Sequence, residues 1–192
     1  MLKPLDILLV GVGGQGTILA TRVLAEAAGA SGYDIKVSEI KGMAQRGGSV
    51  VTQVRLGERV YSPIISRGGA DVILAFEKME AMRWLPFLKA DGDIIINNQS
   101  IAPVPVLTGA AVYPADCLEK VRGAVPSTVV VDALDIAIKC GNPKAANVVL
   151  MGILAKKLPI EKETWLSALR ARVPQKFIDV NLQAFEEGYL LG

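Results

Sequence analysis

The stretch "DILLVGVGGQGTILATRVLAEA", residues 6–27, decides the fold of this chain. It begins with an apolar run typical of a buried parallel strand, which leads into a G-x-G-x-x-G turn formed by Gly11, Gly13 and Gly16. Apolar residues at helical spacing follow the turn and predict a helix. A strand, a glycine turn and a helix in this order predict the opening of a β-α-β unit, the arrangement that usually holds a dinucleotide pyrophosphate.

Predicted strands and helices alternate along most of the chain. Further strands are predicted in "DIKVSEI", "ADVILAFE", "DGDIIINN" and "STVVVDA". The stretch "SVVTQVRLGERVYSPII" has a Leu-Gly-Glu turn between two β-prone runs, which predicts an inserted β-hairpin. From Asn142 the pattern is helical, in three pieces broken by Pro159 and Pro174. The sequence therefore predicts an α/β fold with a Rossmann-like, mostly parallel sheet, an inserted β-hairpin and a helical C-terminal portion.

Composition narrows the classes of function. The 192 residues, 51% of them hydrophobic, suit one domain over residues 1–192. The net charge of +2 is spread without a basic stripe, so nucleic acid is not expected as a partner. No apolar run is long enough to span a bilayer, and the first residues lead into a strand without a signal-peptide pattern. We expect a cytoplasmic protein that does not associate with a membrane.

The chain contains no histidine, which removes the Ser-His-Asp and Cys-His nucleophilic arrangements and histidine-based metal sites. Its two cysteines, Cys117 and Cys140, form no C-x-x-C pair, so by themselves they hold neither an iron–sulfur cluster nor a structural zinc. We expect both to be buried packing residues. No catalytic residue and no metal ligand is predicted on this chain.

Two other glycine-rich stretches carry arginines. They are "KGMAQRGGS" at residues 41–49, with Arg46, and "SRGG" at residues 66–69, with Arg67. A guanidinium on such a turn suits phosphate or carboxylate, because its fork binds these groups bidentately and the neighbouring backbone N–H groups are open. The composition alone is equally compatible with two solvated turns.

A dinucleotide site would also need an acid at the end of the second strand to hold a ribose hydroxyl, and Glu39 lies near that position. However, Lys41 and a glycine-rich stretch follow at once, where a dinucleotide-binding fold usually continues into a helix. A free-standing dinucleotide-binding protein is therefore one alternative. A glycine turn that serves only the packing of helix on strand is another.

Four stretches together resemble a known family over essentially the whole chain. They are "GVGGQG" (11–16), "SEIKGMAQRGGSVVTQVRLG" (38–57), "ADVILAFEKMEAMRWLPFLKADGDIIINN" (70–98) and "NPKAANVVLMGILAK" (142–156). They resemble the gamma-type subunits or domains of the 2-oxoacid:ferredoxin oxidoreductases, and most closely the small beta subunits of indolepyruvate:ferredoxin oxidoreductases. The glycine turn and the Gln-Arg-Gly-Gly-Ser loop are far more specific together than either is alone.

The resemblance implies a subunit of an enzyme complex rather than an enzyme on its own. Such a complex oxidatively decarboxylates an aryl-pyruvate, joins the acyl group to coenzyme A and passes electrons to ferredoxin. In this family thiamine diphosphate, Mg²⁺ and the iron–sulfur clusters lie on the large partner subunit, so no cofactor is expected on this chain. Pyruvate and other 2-oxoacid enzymes share the gamma-type pattern and remain the alternative.

We expect the glycine turn and the Arg46 loop to face the partner's active site and to contact coenzyme A phosphates, because α/β sheets bind ligands at the carboxyl ends of neighbouring strands. The candidate binding residues are Gly11, Gly13, Gly14, Gln15, Gly16, Lys41, Gln45, Arg46, Gly47 and Gly48.

The C-terminal helices support a third hypothesis, a regulatory or structural subunit without a ligand. Their apolar residues are predicted to exceed what one domain can bury and so to hold a partner. These residues are Trp165, Leu166, Leu169, Phe185, Tyr189 and Leu190. An isolated chain with such a surface is also expected to self-associate.

Overall fold

A computed structural model describes residues 2–42 and 47–192. The strands are β1 (Leu5–Val12), β2 (Asp34–Lys41), β3 (Ser49–Gly57), β4 (Ala70–Ala75), β5 (Leu88–Asn97) and β6 (Val129–Val131). The α-helices are α1 (Thr17–Ala30), α2 (Lys78–Trp84), α3 (Val104–Leu107), α4 (Cys117–Ala124), α5 (Ala133–Lys139), α6 (Ala146–Lys157), α7 (Lys162–Arg172) and α8 (Ile178–Leu191). Short 3-10 turns lie at Leu85–Phe87, Pro143–Ala145 and Gln175–Phe177.

The strands form one sheet in the order β2-β3-β1-β4-β5-β6. Strands β1, β4, β5 and β6 pair in parallel, whereas β3 is antiparallel to both of its neighbours, β1 and β2. The predicted α/β class with a mostly parallel sheet is confirmed. Because β3 lies between β1 and β2, the two strands of the opening β-α-β unit are not neighbours in the sheet.

The predicted hairpin was placed in the wrong part of the sequence. The first β-prone run forms β3, but the run after its Leu-Gly-Glu turn, residues 60–65, forms no strand. Instead β3 pairs along its length with the preceding strand β2. The second run contains Pro63, which cannot donate to a ladder, whereas β2 offers β3 an uninterrupted partner.

Helices cover both faces of the sheet. One core combines side chains such as Leu9 and Leu74 with residues of α1, α5, α6, α7 and α8. The other combines Leu8 and Ile73 with residues of α2 and α4. Adjacent residues of one strand thus belong to opposite cores, as the alternation of side chains along a strand requires.

The C-terminal portion consists of α6, α7 and α8, as predicted from Pro159 and Pro174. The expected surplus of apolar surface on these helices is wrong for most of the residues concerned. Trp165 and Phe185 are fully buried and Leu169 nearly so, because α6 packs beneath α8 and α7 packs on α1. Of the six residues predicted to be in surplus, only Leu190, with 77% of its surface exposed, lies open. No helix in the described part of the chain is long and apolar enough to cross a membrane.

Candidate functional site

A cleft of about 680 Å³ opens where β1, β4 and β5 end. It lies between strands whose helical connections leave in opposite directions, since α1 leads from β1 towards β2 and α2 leads from β4 towards β5. This is where open α/β sheets bind ligands. The cleft is lined by Gly13, Gly14, Gln15, Gly16, Leu19, Phe76, Asn97, Gln99, Ile101, Leu134, Pro143, Lys144, Ala146, Asn147 and Leu150.

The glycine turn gives the cleft an uncapped helix N-terminus. Gly14 has φ +105° and Gly16 has φ +81°, values that favour glycine. Gly16 is the N-cap of α1, where no side chain caps the helix and no acidic residue occupies the first turn. The first backbone N–H groups of a helix have no intrahelical partner, and the helix dipole makes this end positive. The turn is therefore suited to an anionic group.

The side chain of Gln15 ties three strand ends together beneath the cleft. Its Oε1 accepts a hydrogen bond from Val12 N at 2.8 Å, and its Nε2 donates to Phe76 O at 2.8 Å and to Gln99 Oε1 at 3.0 Å. Asn97 Nδ2 donates to the same two oxygens, each at 3.2 Å. The amide of Gln15 is thus engaged in building the cleft floor.

Two of the predicted glycines make room for neighbouring polar side chains. A Cβ on Gly11, which lies inside β1, would come within 2.9 Å of both Gln15 Oε1 and Phe76 Cβ. A Cβ on Gly16 would come within 2.5 Å of Asn147 Nδ2, which donates to Gly16 O at 3.1 Å. The missing Cβ of Gly16 therefore leaves space for the Asn147 side chain of α6, and not for a closer approach of α1 to β1.

The second glycine loop lies beside the first. Gly13 N donates to Gly48 O at 2.9 Å, and Gly47, with φ +76°, precedes it. The next residue, Ser49, donates its hydroxyl to the carboxylate of Glu80, a side chain of α2 that is almost fully buried. Gln45 and Arg46 lie outside the described residues.

Two predicted cations do not reach the cleft. Lys41 lies on the edge strand β2 and forms an ion pair with Glu39 at 3.0 Å. Arg67 precedes β4 and so lies at the end of the strands opposite the cleft, where its guanidinium is 5.9 Å from the centre of the Phe87 ring.

Glu39 is also in the wrong place for a ribose. Strand β3 separates β2 from β1, which displaces the end of β2 by two strand spacings, about 10 Å, from the glycine turn. Glu39 is paired instead with Lys41. The geometry therefore removes the acid on which the dinucleotide alternative depended.

Sequence reasoning missed several residues of the cleft. Lys144 lies at its rim, just before α6, and makes no ion pair with any described residue. Gln99 and Asn97 contribute amides to its floor. The signals were present as the polar run "NNQS" after a buried strand and as the lysine near the start of a predicted helix in "NPKAAN". Neither signal indicates by itself that these segments meet.

A buried carboxylate lies behind one wall of the cleft. Glu77 is fully buried at the N-cap of α2, where its Oε2 accepts from Glu80 N at 3.0 Å. Its Oε1 accepts from Ile101 N at 3.1 Å and from the Tyr113 hydroxyl. Burial and the hydrogen bond to Glu77 raise the pKa of Tyr113 above its usual value, so this phenol stays a donor. Glu77 thereby fixes both ends of the segment that follows β5.

The described residues provide little for a metal. Cys117 and Cys140 are both buried, as predicted, and carry free thiols whose pKa values are raised by burial. Across residues 2–42 and 47–192, no three His, Cys, Asp or Glu side chains come together as a metal-binding cluster.

Comparison with known proteins places this architecture in context. The family model described as "Pyruvate ferredoxin/flavodoxin oxidoreductase" matches residues 6–191. The chain is 41% identical to indolepyruvate oxidoreductase subunit IorB of Thermococcus kodakarensis, over 97% of this chain and 95% of that protein. It is 40% identical to the subunit of the same name from Archaeoglobus fulgidus, over 96% and 94%. A more distant relative, the pyruvate/ketoisovalerate oxidoreductases common subunit gamma of Pyrococcus abyssi, is 25% identical over 96% and 95%.

Solved structures share the fold. The gamma subunit of a keto/oxoacid ferredoxin oxidoreductase from Geobacter sulfurreducens superposes with a TM-score of 0.72, at 24% identity and 97% coverage of both chains. The 2-oxoglutarate:ferredoxin oxidoreductase from Magnetococcus marinus, solved with 2-oxoglutarate, coenzyme A and succinyl-CoA bound, gives a TM-score of 0.75 at 19% identity. This match covers 98% of the present chain but only 31% of the other.

Proposed function

This chain belongs to the pyruvate ferredoxin/flavodoxin oxidoreductase family, and from that membership we propose that it is the small subunit of an indolepyruvate:ferredoxin oxidoreductase. The observation that carries the proposal is the identity of about 40% to subunits of that name over nearly the full length of both chains. Identity to the gamma subunit shared by pyruvate and ketoisovalerate enzymes is 25%, which favours indolepyruvate over the other 2-oxoacids.

In the proposed complex this chain does not carry the redox cofactors. Thiamine diphosphate with Mg²⁺ and the iron–sulfur clusters would lie on a large partner subunit, which oxidises an aryl-pyruvate, releases CO₂ and passes a pair of electrons to ferredoxin. The acyl group is transferred to the thiol of coenzyme A to give an aryl-acetyl-CoA. The described residues offer no cluster of metal-ligating side chains, and both thiols are buried.

The cleft is proposed to hold the phosphate groups of coenzyme A beside the partner's active site. The uncapped start of α1 supplies backbone N–H groups, and Lys144, which lines the same cleft, supplies a positive charge. The neighbouring glycine loop, joined through Gly13 and Gly48, would extend this surface. Lys41 is left out of the proposal because its ammonium is paired with Glu39.

Reconstitution tests the function directly. The purified chain is mixed with the purified large subunit, and thiamine- and coenzyme-A-dependent reduction of ferredoxin or viologen is followed with indolepyruvate, pyruvate and 2-oxoglutarate. We expect activity only when both chains are present, with indolepyruvate preferred. Activity of the large subunit alone, or a preference for pyruvate, would contradict the proposal.

Replacement of Lys144 tests the role of the cleft. Loss of a charge-assisted contact to phosphate is expected to raise the KM for coenzyme A about tenfold in Lys144→Ala, while the KM for the oxoacid is unchanged. Lys3→Ala is the matched control, since this exposed lysine precedes β1, at the end of the strands opposite the cleft. Equal KM values for coenzyme A in both variants would remove Lys144 from the binding surface and leave the subunit assignment intact.

A further inference from the structure

An apolar surface projects from the segment between β5 and α4, residues 99–115. This segment contains no Lys, Arg, Asp or Glu, although 21% of the chain is charged. Three large apolar side chains stand out from it, with Val104 60%, Leu107 74% and Val112 90% exposed. Exposed apolar side chains that are grouped on one segment, rather than scattered singly, are typical of an interaction surface. The C-terminal helices, by contrast, bury most of theirs.

The segment is held in one conformation by the body of the protein. At its start, Gln99 bonds to Gln15 and Asn97, and its carbonyl accepts from Lys78 N at 3.0 Å. Towards its end, the Tyr113 hydroxyl donates to Glu77, which also accepts from Ile101 N. Between these anchors, the turn of α3 is closed by hydrogen bonds such as Ala111 N to Pro105 O at 3.0 Å.

Holding the 99–115 segment in place requires a buried carboxylate, that of Glu77, which a loop without a fixed conformation would not need. Glu77 is fully buried, and a buried carboxylate is tolerated only when its oxygens are well hydrogen-bonded. Two of its three hydrogen bonds come from the 99–115 segment. A surface held in its bound shape loses little conformational entropy when a partner binds.

The position of the segment indicates which molecule covers it. Gln99 and Ile101 line the cleft, so the apolar surface begins at the cleft mouth. Coenzyme A held by its phosphates in the cleft would extend its thiol beyond the mouth to the partner's active site, so the partner chain would lie against the surface beside the mouth. A second copy of this chain docked there would cover the mouth instead of completing the site.

The lengths of the longer relatives point the same way. In ketoisovalerate oxidoreductase subunit VorA of Methanothermobacter thermautotrophicus, the matched region is 35% of the protein, and in the Magnetococcus marinus chain it is 31%. This fold therefore also occurs joined to a much larger polypeptide. Permanent interfaces between chains have apolar cores depleted of charge, and this segment likewise contains no Lys, Arg, Asp or Glu.

We infer that the 99–115 segment is the surface on which the large, thiamine-binding subunit docks, with Val104, Leu107 and Val112 as its apolar contacts. This inference rests on the proposed function, because the occupant is the partner that the function requires. It adds the surface through which the two chains meet.

The test compares two leucines of similar exposure. Leu107 is 74% exposed in the segment, whereas Leu190 is 77% exposed near the end of α8. Leu107→Asp and Leu190→Asp are each titrated with the purified large subunit, and affinity and reconstituted activity are measured. We expect Leu107→Asp to weaken association at least about 30-fold, as at an interface hot spot, and Leu190→Asp to change it less than about twofold. Both isolated variants should unfold at the wild-type temperature, because both side chains are exposed.

The outcomes separate the inference from the proposed function. Normal binding by Leu107→Asp and by Val112→Asp, with a wild-type chain that binds and is active, overturns the docking surface and leaves the function standing. A wild-type chain that neither binds nor activates the large subunit removes the function itself. If the substitutions dissociate an oligomer of the isolated chain while binding to the large subunit is unchanged, a second copy is the occupant and the inference is wrong.

Discussion

Two parts of the molecule depend on glycine for opposite reasons. Where α6 crosses α8, a Cβ on Gly188 would overlap the carbonyl oxygen of Val149, and one on Gly152 would overlap that of Phe185. At the cleft, a Cβ on Gly14 would meet nothing within 4 Å, and glycine is favoured there by φ +105°. The crossing uses glycine to bring two backbones into contact, whereas the turn uses it to shape an open site.

The difference separates stability from function. The contact between α6 and α8 is closed on both sides, so an added methyl group must push two helices apart. The space above Gly14 is open to solvent in the isolated chain and is where we propose that a ligand binds. Substitution at the crossing should therefore act on folding, and substitution at the turn should act mainly on binding. Gly16 lines the cleft and has a positive φ, as Gly14 does, but a Cβ there would also overlap a neighbouring side chain, that of Asn147.

The largest effect is expected for Gly188→Ala. Overlap with a backbone oxygen outweighs the gain in helix propensity, and we expect a loss of about 3 kcal/mol or more, which lowers the Tm by roughly 6–12 °C. Gly123→Ala in α4 is the control, since its Cβ would meet nothing within 4 Å and should stabilise the chain by up to about 1 kcal/mol. Thermal unfolding of the two variants checks the sign. A stable Gly188→Ala protein would mean that the helices cross less closely than described.

An intermediate effect is expected for Gly16→Ala. Positive φ costs about 1–2 kcal/mol for a residue with a Cβ, and displacement of Asn147 adds about 1 kcal/mol. A double-mutant cycle with Asn147→Ala separates these contributions, because removing the asparagine side chain leaves only the backbone cost. We expect the two substitutions to be non-additive by about 1 kcal/mol in urea unfolding. Strict additivity would show that the Asn147 contact does not matter.

The smallest effect on stability is expected for Gly14→Ala, where only backbone strain of about 1 kcal/mol opposes folding. Its Cβ would instead occupy the cleft. In the reconstituted complex we expect the KM for coenzyme A to rise about fivefold or more with little change in the KM for the oxoacid. An unchanged KM for coenzyme A together with reduced stability would return the glycine turn to a purely structural role.

Local patterns in the sequence were sufficient for many of the elements. Apolar runs located β1, β4, β5 and β6, and prolines separated the three C-terminal helices. Local patterns failed for the hairpin, because β3 could pair either with β2 before it or with residues 60–65 after it. Which segment pairs with β3 depends on tertiary contacts and not on the β propensity of each run. Local patterns also failed for the C-terminal helices, because the number of apolar side chains does not reveal that α8 packs on α6 and α7 packs on α1.

The candidate site shows the same division. The glycine turn could be located from its spacing. The second loop does lie beside it, but the expected reason was wrong: β1 and β2 are not neighbouring strands, and the loop reaches the turn because antiparallel β3 begins beside the end of β1. The amide network of Gln15, Asn97 and Gln99 could not be foreseen, since it joins residues that are far apart in sequence. Arg67 carried an Arg-Gly-Gly signal too, yet it precedes β4 and so lies at the end of the strands opposite the cleft.

The sequence by itself determined the α/β class, the glycine turn that starts α1 and the resemblance to an oxidoreductase subunit, because each depends on residues close together in the chain or on their order. Only the tertiary structure decided that β3 separates Glu39 from the turn, that Lys144 lines the same cleft as the turn, and that Glu77 holds an apolar segment at the cleft mouth. These depend on which strand lies beside which, and on where an acid can be buried with its hydrogen bonds satisfied. The spacing of residues along the chain encodes neither the order of the strands in the sheet nor the place where an acid is buried.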